Sequence, residues 1–199
     1  HLRYHECSVY WAHYQGAPDS VYNPLSEGDG SDDVTCRPRY SEWEREGGGD
    51  ALYLSYHTNA GGGTGTETYS MTGGTPPGSR LLRDLLQEEI VKDLREAWDP
   101  DWVDRGTNEA NFGELRLLET MPGALIESAF HDNPVDLAAE RSPLWRRIVT
   151  RAIYHAVVRY WYGDAAVMLP EPPEGFAARA VDAGSVRLSW RAGPAGAEA

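Results

Sequence analysis

The stretch ALYLSYHTNAGGGTGTETYSM, residues 51–71, decides the fold. Its first six residues are mostly apolar and read as a buried strand, ending at a histidine and an asparagine, His57 and Asn59. A run of small residues follows, and then TGTETYSM (64–71) reads as a second strand closed by the turn GGTPPG. Beyond that turn, Leu81, Leu82, Leu85, Leu86, Ile90, Val91, Leu94 and Trp98 recur at helical spacing. They predict a long amphipathic helix over 79–98 with Ser79 as its N-cap. Strand, strand and helix in this order, with more of both to follow, make an α/β domain; the expected architecture is a central mostly parallel or mixed sheet flanked by helices on both faces.

Working outward supports the same class. ELRLL (114–118) and GALIESAF (123–130) read as strands. Asn133-Pro134 is an N-cap followed by proline at the first helical position, with Asp136 placed as a capping-box partner. Ser142-Pro143 repeats the device before a helix through Tyr160 that Gly163 stops. On the N-terminal side, residues 3–15 read as a helix, DSVYNP (19–24) as a short strand and the acidic, glycine-rich 25–35 as a surface loop. RYSEWERE (39–46) suggests a short helix ended by Gly47 to Gly49.

Of the 199 residues 41% are hydrophobic and 25% charged, values of a globular chain. The 18 basic against 31 acidic side chains give a formal charge of −13, which argues against a nucleic-acid partner or an anionic membrane surface. No apolar run reaches the length of a membrane span. Cys7 and Cys36 are the two cysteines; they form either one disulfide or two unrelated thiols, and no zinc-type C-x-x-C spacing exists.

In open α/β sheets functional groups collect at the carboxyl ends of strands. His57 occupies such a position, and Glu127 lies near the end of GALIESAF. A glutamate among Ala-Leu-Ile in a buried strand is costly unless paired or used. Its bland reading is a salt bridge to a buried arginine, and that of His57 is a loop histidine bonded to a carbonyl; together the two favour a site. Glu6 supplies a third carboxylate, although its neighbour His5 lies about 100° away around a helix, and spacing alone makes that pair surface charge.

These residues carry a resemblance. Ser55-Tyr56-His57-Thr58-Asn59, followed by GTGTETYSM, the long helix and Pro122-Gly123-Ala124-Leu125-Ile126-Glu127-Ser128-Ala129-Phe130-His131-Asp132-Asn133, resemble the zinc-dependent N-acetylmuramoyl-L-alanine amidases. The resemblance runs over roughly residues 3–162. It implies an α/β fold, a catalytic Zn2+ and hydrolysis of the amide between N-acetylmuramic acid and L-alanine in peptidoglycan. It places His57 and Glu6 as metal ligands and Glu127 as the catalytic glutamate. The family's other zinc histidine lies in a Gly-His-Gly loop that this sequence lacks, so either the third ligand lies upstream or the site is incomplete. Asn59, Arg116 and His131 are candidate substrate contacts, and Gly61 to Gly65 would leave room for a bulky glycan-peptide.

Residues 174–199 resemble the start of a fibronectin type III module, through Phe176, Val186, Leu188 and Trp190. The expected organisation is therefore an amidase-like domain over 1–164, a proline-rich linker over 165–173 and the start of that module over 174–199. Such modules accompany secreted hydrolases, which implies a secreted or periplasmic protein. A non-catalytic wall-binding domain on the same fold, or a zinc amidase or peptidase for another extracellular polymer, are the alternatives.

Overall fold

The computed structural model describes residues 7–24, 29–45, 48–169 and 174–191. The two predicted strands around the glycine run are β1 (Tyr53–Asn59) and β2 (Thr66–Met71), and the helix after them is α4 (Ser79–Ala97). Ahead of them stand α1 (Cys7–Tyr14), α2 (Asp19–Tyr22) and α3 (Asp29–Glu44). Behind them come β3 (Asp104–Ala110), β4 (Gly123–Phe130), α5 (Pro134–Arg141), α6 (Pro143–Tyr162) and a hairpin of β5 (Glu174–Asp182) and β6 (Ser185–Arg191).

The main sheet has the order β1-β4-β2-β3. β1 runs parallel to β4 and β2 parallel to β3, while β2 and β4 are antiparallel. The sheet is therefore mixed, as anticipated. β4 lies inside it, with seven of its eight residues buried, which is why GALIESAF is apolar on both faces. Leu82, Leu86, Ile90 and Leu94 of α4 pack with Ala124 and Ile126 of β4 and with Trp145, Ile148, Val149 and Ala152 of α6, forming the main core on one face. A second core on the other face joins Tyr53 and Leu125 to Leu115, Leu118 and Met121.

Several local expectations are corrected. Residues 114–118 form turns, not a strand; Leu115 and Leu118 are plugs for the second core rather than one face of a pleat. The strand instead is the polar β3, an edge strand whose seven residues are all at least partly exposed. Asp19–Tyr22 is a single helical turn, not a strand, and residues 29–35 belong to a sixteen-residue helix, not a loop. Residues 25–28 of the expected loop lie outside the described residues.

Ser79 is not the cap of α4. Gly78 holds that place at φ 93°, where a Cβ would stand 2.2 Å from Tyr160 Oη. Ser79 Oγ accepts a hydrogen bond from Gly123 N at 3.1 Å, tying the start of the helix to the start of β4. Asn133 does cap α5, accepting from Val135 N and Asp136 N, and Ser142 Oγ accepts from Trp145 N in α6. Asp136 is no capping-box partner. Fully buried, it accepts from Thr64 Oγ1 at 2.6 Å, Gly65 N at 2.9 Å and Phe130 N at 2.9 Å, latching the glycine run onto the end of β4. Cys7 and Cys36 are not bridged; Cys36 is buried, and its Sγ approaches Ser8 O at 3.5 Å.

The β5–β6 ribbon pairs Ala178 with Leu188 and Ala180 with Val186. Phe176, Val186, Leu188 and Trp190 are all exposed.

Candidate active site

Register places three ionisable groups in a row across the sheet. His57 on β1 stands beside Glu127 on β4, and Glu127 stands beside Glu67 on β2. Residues paired in register point to the same face of a sheet, so the imidazole and both carboxylates share one surface. A fourth group joins from the loop after β3, where Glu114 Oε1 lies 3.8 Å from His57 Nε2. Glu67 and Glu114 had no place in the sequence-based site. Glu67 had a usable signal, as the single acidic residue of a strand that opens on the glycine run; Glu114 sits in a segment that reads as a strand and gives no cue.

Glu127 is the most perturbed of these groups. Burial, reinforced by the neighbouring charges of Glu67 and Glu114, pushes its carboxyl up to about 7. Its Oε2 is buried and has no hydrogen-bond partner among the described residues. The salt bridge to a buried arginine, its bland reading, does not occur among the described residues. A buried carboxylate oxygen without a partner is costly and marks a place where a ligand or a proton belongs.

His57 is half-buried, and desolvation holds it below its ordinary value against the opposing charge of Glu114. A neutral imidazole offers a lone pair. Its Nε2 lies 2.9 Å from Ser55 Oγ, two residues back on the same strand face. Arg37 closes this side of the site: its Nη1 is 3.8 Å from Glu114 Oε1 and its Nη2 is 2.8 Å from Asp33 Oδ2. A cavity of about 680 Å³ opens between α1, α3 and the outer side of β1, lined among others by Trp11, Arg37, Tyr40, Tyr53 and His57.

Of the weaker candidates, Asn59 joins this row, donating from Nδ2 to Glu67 Oε1 at 2.6 Å. His131 sits at the rim, its Nδ1 3.0 Å from Thr58 Oγ1. Arg116 is exposed and donates to the carbonyl of Asn111 at 3.1 Å. Glu6 lies outside the described residues. The glycine run is less open than its composition suggests. Gly61 and Gly62 donate to Asp132 Oδ2, and at Gly63 a Cβ would come within 2.4 Å of the Phe130 ring. Gly63 is there for close packing, whereas Gly61 and Gly62, with open space around them, hold a left-handed backbone.

His57 and Glu114 supply two donors of zinc-ligand type, with the orphaned oxygen of Glu127 nearby in the row. The chemistry of this set fits a zinc ion, which takes imidazole nitrogen and carboxylate oxygen. A different trio, Glu89 and Asp93 of α4 with His155 of α6, is the one group of three such donors within reach of a common ion among the described residues. Its carboxylates are already engaged: Arg151 Nε stands 2.9 Å from Asp93, and Arg159 Nη1 stands 2.5 Å from Glu89. Two guanidinium groups would have to leave before a cation entered, so this is an ion-pair clasp between α4 and α6.

A mixed α/β sheet with a histidine and three carboxylates converging on one surface defines a hydrolase-like centre. The Amidase_3 family profile, described as N-acetylmuramoyl-L-alanine amidase, matches residues 27–159. That is more than half of the chain, and the protein belongs to this family. The chain is 38% identical over 111 residues to the N-acetylmuramoyl-L-alanine amidase CwlM of Bacillus licheniformis, covering 56% of this chain and 41% of that protein. It is 34% identical over 88 residues to the sporulation-specific N-acetylmuramoyl-L-alanine amidase of Bacillus subtilis (strain 168), covering 44% and 31%. The crystal structure of an N-acetylmuramoyl-L-alanine amidase from Clostridium difficile 630 matches at TM-score 0.50 and 26% identity, covering 57% of this chain and 59% of that one. The CwlD amidase of Clostridioides difficile, solved with the GerS lipoprotein, shares the fold at TM-score 0.54 and 20% identity, over 71% of this chain and 68% of its own. The chain thus spans less than half the length of these two curated relatives.

Proposed function

We propose that this chain carries the catalytic centre of a peptidoglycan amidase that hydrolyses the bond between N-acetylmuramic acid and L-alanine, with Glu127 as the proton-transfer group. The observation that carries this reading is the buried, unpartnered oxygen of Glu127 beside His57 on one sheet surface. Family membership supports the choice of substrate. His57 would hold a zinc ion, with Glu6 as the carboxylate that the resemblance assigns and Glu114 as the carboxylate standing 3.8 Å from the imidazole.

Zinc, when bound, supplies Lewis acidity at neutral pH. The chain's own residues do the rest. In the metal-free chain burial, then Glu67 and Glu114, raise the Glu127 carboxyl to about 7; a carboxylate of raised proton affinity can take a proton from the attacking water and return it to the departing amine. Glu67 and Glu114 keep that proton affinity high by charge repulsion. Arg37, bound to Asp33 and close to Glu114, restrains Glu114 on the other flank. The cavity along β1 offers an extended polymer a berth beside this centre.

The reading includes an amidase-like unit over 1–164, a linker over 165–173 and a fibronectin type III-like start over 174–199, in a protein acting outside the membrane on the wall. No described helix is long and apolar enough to cross a membrane. The test is incubation of zinc-supplemented chain with soluble N-acetylmuramoyl-L-alanyl peptides. A new L-alanine amino terminus is the expected product. An intact substrate that nevertheless binds the chain would favour the wall-binding alternative.

A further inference from the structure

A β-bulge on the edge strand carries a cation to the rim of this centre. Thr66 pairs with Asp104 and Glu67 with Gly106, so one residue of β3 is extra: Arg105. Bulges re-aim side chains at sheet edges and near active sites, and Gly106 at φ 81° supplies the left-handed turn that accompanies this one. The side chain of Arg105 reaches back over the sheet. Its Nε comes 3.3 Å from Glu67 Oε1, and its guanidinium carbon lies 4.9 Å from the centre of the Phe130 ring.

Arg105 is not the only partner of Glu67. Glu67 Oε1 already accepts from Asn59 at 2.6 Å, and Oε2 is approached by Asn108 Nδ2 at 3.4 Å. Arg105 keeps 38% of its side chain exposed, and its terminal nitrogens make no hydrogen bond among the described residues. The result is a guanidinium placed over an aromatic face, on a side chain that stays partly exposed to solvent. The guanidinium fork matches a carboxylate in two-point geometry.

Surrounding charge says what such a fork is for. The centre is acidic, with Glu67, Glu114 and Glu127 together in a chain of formal charge −13. An anionic peptide reaching past the proposed zinc toward β2 and β3 would meet Glu67 and be repelled unless a cation met it there. Arg37 is engaged by Asp33 and Ser8 Oγ on the opposite flank, which leaves Arg105 on the side of β2 and β3.

We propose that Arg105 is a specificity-determining residue that takes a free carboxylate of the peptide part of the substrate, and so favours peptides carrying that carboxylate over their amidated forms. The inference rests on the amidase reading for the choice of peptide, and its test separates the two. Three probes serve: N-acetylmuramoyl-L-alanyl-D-glutamate, its α-amide and its γ-amide. Binding is measured by calorimetry in the Glu127→Gln background, with and without Arg105→Gln or Arg105→Lys; hydrolysis is measured separately with Glu127 intact.

Arg105→Gln should weaken binding of the diacid about tenfold, the lower end for a charge-assisted contact that is partly solvated. It should change binding of one of the two amides by less than about twofold, since that amide has already lost the recognised group. Arg105→Lys, which keeps the charge but not the fork, should recover part of the loss. An equal loss on all three probes, no loss on the diacid, or no binding of any probe to the parent overturns the inference. Discrimination through Arg105 without hydrolysis would sink the amidase reading alone. Hydrolysis that Arg105→Gln slows equally on acid and amides would sink this inference alone.

Discussion

Replacing Glu127 by glutamine should make the metal-free protein more stable, by an amount that grows from about pH 4.5 and is complete above neutral pH. Glu127 is held at about 7 against an ordinary 4.5, by burial first and then by Glu67 and Glu114. The folded chain therefore holds this proton more tightly than the unfolded chain does. Below about pH 4.5 the carboxyl is protonated in both states and costs nothing; the cost grows between the two values and is complete above about 7. For a fully buried group the gap is worth roughly 3 kcal/mol; Glu127 is partly solvated, and screening reduces this to about 1–2 kcal/mol. Glutamine keeps the shape and carries no charge, so Glu127→Gln should gain that amount over the parent at pH 8 relative to the difference at pH 4. Urea unfolding of both proteins at the two pH values, with a chelator present, reads it. An identical difference at pH 4 and pH 8 would refute the claim that a buried charge sits at this position.

Four further outcomes follow from the same geometry. His57→Ala should lower zinc affinity at least tenfold in a calorimetric titration, whereas His155→Ala should leave it unchanged, because Arg151 and Arg159 already engage the carboxylates beside His155. Asp136→Ala should cost about 2–4 kcal/mol in denaturant unfolding, since it strips three hydrogen bonds from buried or partly buried donors in the glycine run and β4. Leu86→Ala, at a position with 0% exposure where α4 meets the main core, should cost about 2–5 kcal/mol. Gly63→Ala should lower stability and disturb the end of β4, read as loss of near-ultraviolet dichroism, because its new methyl would collide with Phe130.

The parts of the fold that were legible are those with strong apolar pattern. β4 coincides with GALIESAF, and α4 follows from its leucine spacing to within a residue of its end. β3 was missed because an edge strand needs no apolar face; Asp104, Arg105, Thr107, Asn108 and Glu109 carry no alternation for a period-two search to find. ELRLL misled for the opposite reason, since Leu115 and Leu118 are buried by a turn that drops them onto Leu125 and Tyr53. The acidic, glycine-containing start of α3 reads as a loop by composition, yet the helix is supported by packing of Cys36 against Ala12, Ala17 and Val21. At the site, His57 and Glu127 could be singled out by strand-end position alone. That they stand side by side depends on which strands pair, and that β1 neighbours β4 across some seventy residues of chain is not written in either strand. Glu67 and Glu114 required the same information.

The most direct test of the central claim is product analysis after digestion of purified sacculi by the zinc-supplemented chain, with Glu127→Gln in parallel. Mass spectrometry should find free peptides beginning at L-alanine, glycan strands left intact, and neither product from the variant. Cleavage within the peptides or the glycan, or equal release by parent and variant, would contradict an amidase centre built on Glu127.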